Sequence, residues 1–319
     1  MRKVRVAVVG AGQFGKHHLR VLSQCEGAEL VAVVDTDADR ATEAASLYGC
    51  AAFQDPSRLI GLAEAAVIAV PTTQHAAVGC GLLAAGLDLL VEKPIAADLE
   101  SAGQLVDAAA QTGRILQVGH LERFNPAVLA LEKIKTLPLF FEIHRLSPFS
   151  PRSLDVDVVL DLMIHDIEIV LSLVGRMPEE IRAAGISILT KRVDIANARL
   201  AFPGGIIANL TASRVSTERV RKLRMFQPHQ YISLDYTRQD AAVYTVERPR
   251  EQEMPRIVAR RIEPARREPL EAELESFVEA CLGRTPVECS GEDGRATLEL
   301  ALEVLAQAEK AQAQEFDRL

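Results

Sequence analysis

The chain has 319 residues and a hydrophobic content of 48%, which is enough for a large core, and its length favours two domains over one. Its net charge of −8 and pI near 5.5 argue against nucleic acid or a membrane surface as the main partner. The five cysteines are scattered, with no CxxC pair and no His/Cys cluster at metal-ligand spacing. We therefore expect neither a disulfide framework nor a metal site.

The first residues lead directly into a strand-like pattern, without the apolar region and cleavage site of a signal peptide. No stretch reaches the roughly 18 uninterrupted apolar residues of a membrane helix. From these two observations we expect a cytoplasmic protein.

The first predicted strand, Val4–Val9, runs into a glycine-rich loop and then a helix-like stretch. In such a loop Gly10 permits the tight turn, Gly12 lets the backbone approach a pyrophosphate, and Gly15 allows close packing of helix on strand. The free N–H groups at the start of the helix would face the phosphates. The predicted dinucleotide-binding loop comprises Gly10, Gly12, Gln13, Phe14 and Gly15.

A second predicted strand, Leu30–Val34, ends in an acidic residue. Asp35 lies 20 residues after the last glycine of the loop, where a carboxylate can bind a ribose 2′-hydroxyl. A carboxylate there would repel the 2′-phosphate of NADP, and no arginine follows until Arg40. The sequence therefore predicts NAD as the cofactor; the alternative is an ordinary glycine-rich turn and an aspartate at a strand end.

Up to about residue 120, apolar runs continue to alternate with alanine-rich amphipathic segments, which predicts right-handed parallel βαβ units with helices on both faces. Further strands are expected at 66–70, 87–91 and 115–118. Ligands of such sheets bind at the carboxyl ends of the strands. The candidate residues at these ends are Pro71, Thr72 and His75, then Glu92 and Lys93, and then His120.

After residue 120 the pattern changes to consecutive strands with short polar turns, which indicates a largely antiparallel sheet. Helices are predicted at 156–174, 270–282 and 292–316, and the Arg-, Glu- and Pro-rich stretch 248–269 is predicted to be a solvated loop or an edge strand. Strands are predicted at 139–146, 180–189, 193–202, 205–214, 221–226, 230–235 and 241–247.

Four motifs give the sequence a resemblance, over essentially its whole length, to the Gfo/Idh/MocA oxidoreductases. They are the GxGxxG loop, residues 69–75, Glu92-Lys93-Pro94, and Asp161 with His165 in an Asp-x-x-x-His pattern. The resemblance implies an α/β protein: an N-terminal Rossmann domain, 1–120, and a C-terminal α/β domain, 121–319, with an open, mostly antiparallel sheet. It also implies a cis bond before Pro94, and that Lys93 and His165 flank the substrate at the nicotinamide ring.

Oxidation of a secondary alcohol needs a base at the hydroxyl while hydride leaves the same carbon. We favour His165 as the proton acceptor and Lys93 as the electrostatic partner, and the reverse assignment stays open. Asp161 lies four residues before His165 on the predicted helix, so it shares a face with it and either steadies the imidazole or binds substrate. The structural alternatives are a core histidine and a surface lysine.

A narrower resemblance, in residues 118–127 and 161–166, is to the branch of this family that oxidises the 3-hydroxyl of UDP-N-acetylglucosamine. It implies a sugar-nucleotide substrate and a downstream aminotransferase. The alternatives are a dehydrogenase of inositol or an aldose, and a non-catalytic sensor of NAD or a sugar nucleotide. His120, Arg123 and Asn125 are candidates for binding substrate hydroxyls or phosphate, against the alternative of hydrogen bonding within a domain linker.

An arginine cluster in an acidic chain suits a charged substrate. Because alternate residues of a strand face one side, either Arg219 with Arg221 or Lys222 with Arg224 would form a pair facing a diphosphate, and Arg214 lies close by in sequence. A solvated strand edge or an oligomer contact is the alternative. The family resemblance implies a homodimer or homotetramer, and the apolar alternation at 206–210 suits such a contact. We assign His17 and His18 to packing or to the helix surface.

Overall fold

The computed structural model describes residues 2–132, 134, 138–150, 156–247, 254–264 and 266–316. The chain divides into two compact units, Met1–Leu121 with Glu268–Leu298 and Glu122–Arg267 with Glu299–Leu319. The chain therefore returns to the first unit after residue 267, whereas the sequence predicted a continuous second domain over 121–319. Among the described helices, none combines the length and the apolar character that crossing a membrane requires.

The helices predicted at 270–282 and 292–316 lie close to their observed positions, the α-helix predicted at 156–174 begins only at Ile164, and the helix over 126–132 was not predicted. The α-helices are α1 (Gln13–Leu22), α2 (Ala38–Tyr48), α3 (His75–Ala84), α4 (Leu99–Thr112), α5 (Pro126–Glu132), α6 (Ile164–Val174), α7 (Pro269–Cys281) and α8 (Gly291–Phe316).

The first unit contains a six-stranded parallel sheet in the order β3-β2-β1-β4-β5-β6. Its strands are β1 (Val4–Val9), β2 (Ala28–Val34), β3 (Ala51–Phe53), β4 (Ala65–Ile68), β5 (Asp88–Glu92) and β6 (Leu116–Gly119). The strand order reverses between β1 and β4, and ligands of such sheets bind outside the carboxyl ends of the strands at that point. The predicted Rossmann sheet is confirmed.

Helix α7 joins this unit because its apolar side packs on the first helix and sheet. Leu274, Phe277 and Val278 are buried in one cluster with Leu19 and Leu22 of α1. The pattern of α7 predicted a helix, but an amphipathic helix does not specify which sheet it covers.

The second unit contains an eight-stranded sheet in the order β14-β13-β12-β11-β7-β10-β9-β8, antiparallel except for the β7–β10 pair. Its strands are β7 (Phe140–Leu146), β8 (Glu180–Ile186), β9 (Ile195–Phe202), β10 (Ile206–Ser213), β11 (Val220–Gln227), β12 (Gln230–Asp235), β13 (Asp240–Glu247) and β14 (Arg256–Ile262). The predicted mostly antiparallel sheet is confirmed, and β14 is the edge strand of the Arg-rich stretch, of which 248–253 and 265 lie outside the described residues.

The two faces of this sheet differ. One face carries the core of the unit, and the other carries a row of aromatic rings in contact. Phe140 and Phe226 meet edge to face, and the rings of Tyr231 and Tyr244 are stacked with centroids 4.3 Å apart. Ala208 and Leu210, two of the apolar residues at 206–210 that were expected to suit an oligomer contact, are instead buried in the core and are not available for one. The aromatic row consists of Phe140, Phe226, Tyr231 and Tyr244.

Candidate active site

The glycine loop after β1 has two glycines that folding requires and one that it does not. Gly10 has φ +100°, and a Cβ on Gly15 would lie 1.7 Å from the carbonyl oxygen of Gly10. Gly12 has φ −69°, open to any residue, and no described heavy atom lies within 4 Å of where its Cβ would be. Since neither conformation nor packing explains Gly12, the open space above it fits a ligand that approaches the backbone closely.

The Asp35 carboxylate at the end of β2 is ionised and well anchored. It accepts hydrogen bonds from the N–H groups of Ala11 at 2.8 Å and Asp37 at 2.9 Å, and from the Arg40 guanidinium at 2.9 Å. Burial raises the pKa of Asp35, but these donors outweigh it and the net direction is downward. The half-exposed Arg40 therefore offers a cation beside the carboxylate that was expected to exclude a 2′-phosphate.

His75 supports the crevice from inside and does not line it. After Pro71 and a short 3₁₀ turn that begins at Thr72, the His75 ring is 1% exposed, with Nε2 3.0 Å from the Val70 carbonyl oxygen and Nδ1 3.1 Å from that of Pro94. Burial lowers the pKa of His75, so the neutral ring is favoured and one nitrogen donates. The contacts join the end of β4 to the turn after β5.

The Glu92-Lys93-Pro94 turn follows β5, and its Lys93–Pro94 peptide bond is cis, as the resemblance implied. Lys93 is half-buried. His120, which follows β6, is 1% exposed. The glycine loop, Asp35 and Lys93 therefore all lie at the carboxyl ends of strands in one parallel sheet.

In the second unit, Asp161 and His165 lie on a helix that starts irregularly. Val159–Met163 is a π-helical turn that continues into α6. The i→i+5 hydrogen bonds of a π turn widen it, and such turns are frequent at functional sites. Asp161 and His165 are both partly exposed, while Met163 and Ile164 between them are buried, so His165 is not an interior core histidine.

A buried arginine holds the residue that follows His165. Arg145, 1% exposed, donates from Nε and Nη2 to the two oxygens of Asp166 at 2.9 and 2.8 Å, and from Nη1 to Glu122 at 2.9 Å. Burial lowers the pKa of Arg145, but attraction to the two carboxylates outweighs it and the net direction is upward. Sequence reasoning missed this network, although β7 alternates Phe141, Ile143 and Arg145 on its inward side, and an inward arginine requires partners.

Two predicted substrate ligands have partners within the second unit. Arg123 donates to Glu168 at 2.9 Å. The Asn125 amide donates to Glu122 at 3.2 Å and to the Tyr236 carbonyl at 3.1 Å, and its oxygen accepts from the N–H of Ala127 at the start of α5. For Asn125 the structure therefore favours the alternative of internal hydrogen bonding.

Arg214 is not placed to bind a substrate. It is 5% exposed, its Nε lies 3.1 Å from Asp194, and its Nη2 donates to the carbonyl oxygens of Val156 at 2.6 Å and Val193 at 3.1 Å. We correct its assignment: Arg214 braces the segment that leads into the π turn.

The register of β11 places the two candidate pairs of basic residues on opposite faces of the sheet. Arg221 lies opposite Arg145 of the neighbouring strand β7. Leu223 and Met225, which point to the same face of β11 as Arg221, are buried. Lys222 and Arg224 point to the opposite face, where Arg224 lies 3.1 Å from Glu142. Only the alternative with Arg219 and Arg221 therefore places a cation beside the Arg145 network.

Arg221 lacks a full set of partners. Its Nη1 lies 3.6 Å from Glu122, and its buried Nε has no hydrogen-bond partner among the described residues. Burial and the neighbouring Arg145 lower the pKa of Arg221. A cation in these surroundings gains from an added anion.

The family follows from two regions of the chain. Residues 4–120 match the model of the oxidoreductase family with an NAD-binding Rossmann fold, and residues 142–227 match the GFO/IDH/MocA C-terminal domain. The chain belongs to the Gfo/Idh/MocA oxidoreductase family.

Two relatives and one solved structure are informative. The chain is 36% identical to UDP-N-acetylglucosamine 3-dehydrogenase of Acidithiobacillus ferrooxidans, over 95% of this chain and 97% of that protein. A solved structure of that name from the same organism superimposes with a TM-score of 0.90 at 35% identity, over 98% and 99% of the two chains. Inositol 2-dehydrogenase 4 of Saccharopolyspora erythraea is 32% identical over 58% of this chain and 57% of its own length.

Proposed function

We propose that this oxidoreductase uses NAD to oxidise the 3-hydroxyl of UDP-N-acetylglucosamine to a ketone. The observation that carries the substrate proposal is the extent of the similarity. A relative named for that reaction matches over 95% of this chain, whereas a relative named for inositol oxidation matches over 58%. Similarity that covers both units includes the second one, where substrate specificity is expected.

For the cofactor, the proposal is supported by the open backbone at Gly12 and the ionised Asp35. The N–H groups of Gln13 and Phe14 at the start of α1 would bind the pyrophosphate, and Asp35 would accept a hydrogen bond from a ribose hydroxyl. Pro71, Thr72, Glu92 and Lys93 complete the proposed cofactor side. NAD, when bound, supplies the acceptor for the hydride that leaves the sugar carbon.

For the chemistry, we assign His165 as the group that accepts the hydroxyl proton and Lys93 as the cation that stabilises the developing alkoxide. Asp161, on the π turn before His165, either orients the imidazole or binds the substrate. Arg145 fixes the first turn of α6 through Asp166, so it holds the backbone that carries His165.

For the sugar nucleotide, Arg219 and Arg221 are the proposed ligands of the diphosphate. Arg219 is exposed, and the incompletely paired Arg221 lies on the inward side of β11. Charge-assisted hydrogen bonds from guanidinium to phosphate are the contacts that such a substrate requires. His120 and Arg123 stay candidates for substrate hydroxyls.

We further propose a homodimer or homotetramer formed through the aromatic row, and an aminotransferase as the downstream enzyme. A row of aromatic side chains on one face of a sheet is well suited to bury area against a second copy. A 3-keto sugar nucleotide is a reactive ketone, and transamination is the class of reaction that would consume it.

The test is the absorbance of reduced nicotinamide after the protein is mixed with NAD and, in separate reactions, UDP-N-acetylglucosamine, free N-acetylglucosamine or inositol, each with an amine trap. We expect the band to grow with the UDP-sugar alone. Growth with inositol alone would assign a polyol substrate instead, and absence of growth in all three reactions would favour a sensor.

A further inference from the structure

The side chain of Glu92 lies in a slot between α1 and β6. Its Oε1 is 2.6 Å from Nε2 of His18, and its Oε2 accepts a hydrogen bond from the Lys93 N–H at 3.3 Å. Gly119 faces the carboxylate, and a Cβ on that glycine would lie 3.3 Å from Oε2. The backbone at Gly119 therefore packs closely against the carboxylate of Glu92, the residue before Lys93.

The histidine in this contact is fully enclosed. His18 is 1% exposed, and its Nδ1 has no hydrogen-bond partner among the described residues. A proton on Nε2 is present both in the imidazolium and in one neutral tautomer, and in either form Glu92 accepts it. We assign that proton to Nε2, because a neutral ring with its proton on Nδ1 would bury a donor without an acceptor.

A second carboxyl group lies within electrostatic reach. Glu273 of α7 is 1% exposed, and its Oε1 has no partner among the described residues. Burial, and then the charge on Glu92, raise the pKa of Glu273 well above its ordinary value. Burial without a hydrogen-bond partner on Oε1 therefore favours the neutral, protonated form of Glu273.

We propose that His18, through its hydrogen bond to Glu92, is a positioning residue for Lys93. The carboxylate joins α1 to the first peptide of the Glu92-Lys93-Pro94 turn, so it fixes the backbone from which the lysine side chain extends. The inference rests on the proposed function, since positioning of Lys93 matters for turnover only if Lys93 acts in the reaction.

The kinetic test compares Glu92→Gln and His18→Gln with Glu273→Gln and with Glu100→Gln, an exposed control on α4. We expect kcat to fall about 10-fold or more for the first two, since loss of one charge-assisted hydrogen bond has an effect of that size. Because His18 is not among the proposed cofactor ligands, His18→Gln should change the dissociation constant for NADH less than about 3-fold. Glu273→Gln replaces a neutral acid by a neutral amide and should keep kcat within about 2-fold, as should the control. Full turnover in Glu92→Gln, or a collapse in Glu273→Gln with the fold intact, would overturn the proposal.

A second readout does not depend on turnover. In nitrogen-15-labelled protein, the His18 ring N–H should be slow to exchange with solvent because it is buried and hydrogen-bonded. We expect its signal, identified by its loss in His18→Gln, to shift in Glu92→Gln and to stay in place in Lys93→Ala. An unshifted signal in Glu92→Gln would refute the contact, whereas a protein without turnover but with the shift would refute only the proposed function.

Discussion

Replacement of Gly12 by alanine should separate cofactor binding from folding. The φ of −69° accepts alanine, and the added Cβ meets no described atom within 4 Å. Lower entropy of the unfolded chain stabilises the variant by about 0.4–1 kcal/mol. Gly12 is also the N-cap of α1, where alanine is disfavoured relative to glycine, and this opposes the gain. We therefore expect the free energy of unfolding to change by less than about 1 kcal/mol.

The same methyl group would occupy the space proposed for the pyrophosphate. Displacement of the phosphates breaks at least one charge-assisted hydrogen bond to a loop N–H, which costs about 1.5–3 kcal/mol. That loss corresponds to a dissociation constant for NADH raised about 10- to 100-fold. The assay is NADH fluorescence titration alongside urea unfolding.

Two controls complete the comparison. Gly15→Ala places a Cβ 1.7 Å from the Gly10 carbonyl oxygen, so it should lower both stability and NADH affinity. Gly103→Ala, in α4 with open space around it, should lower neither. If Gly12→Ala bound NADH as tightly as the unmodified protein, the glycine loop would not be the pyrophosphate site.

Three further outcomes are expected. Asp166→Asn should lower the free energy of unfolding by about 3–5 kcal/mol in urea titrations, because it breaks a buried pair with Arg145; a loss below about 1 kcal/mol would show that the pair is not buried in solution. Arg221→Ala should raise the KM for the UDP-sugar about 10-fold or more, with Lys222→Ala close to the unmodified protein, and equal effects would remove the inward arginine from the proposed site. Glu273→Gln should flatten the pH dependence of stability. Because the pKa of Glu273 is raised in the folded protein, the folded protein keeps its proton while the unfolded chain loses it as pH rises through the ordinary glutamate range. The free energy of unfolding of the unmodified protein therefore falls over that pH range. A slope unchanged in Glu273→Gln would contradict the neutral assignment.

The first sheet was predictable because parallel strands buried on both faces read as near-continuous apolar runs, as in Val4–Val9, which only Arg5 interrupts. The glycine loop and Asp35 followed from spacing. The association of α7 with the first unit did not, because the contacts of Phe277 with α1 connect residues distant in sequence.

The site in the second unit was predictable only in part. Asp161 and His165 were identified through a motif, but the π turn that carries Asp161 has the apolar pattern of an ordinary helix. Arg214 was assigned to the substrate because it lies close in sequence to a cluster of arginines in an acidic chain; its partner, Asp194, forms a buried pair with it that only the fold brings together. Arg145 had a signal in the alternation of β7, but its partners lie on other elements.

The most direct test of the proposed reaction follows the hydrogen that leaves the sugar. UDP-N-acetylglucosamine carrying deuterium at C3 would be incubated with the protein and NAD, and the reduced nicotinamide recovered for mass spectrometry. We predict reduced nicotinamide heavier by one mass unit, since hydride transfer moves the C3 hydrogen to the cofactor ring. Reduced nicotinamide without deuterium would show that the oxidised carbon is not C3, and absence of reduction would contradict dehydrogenation of this substrate.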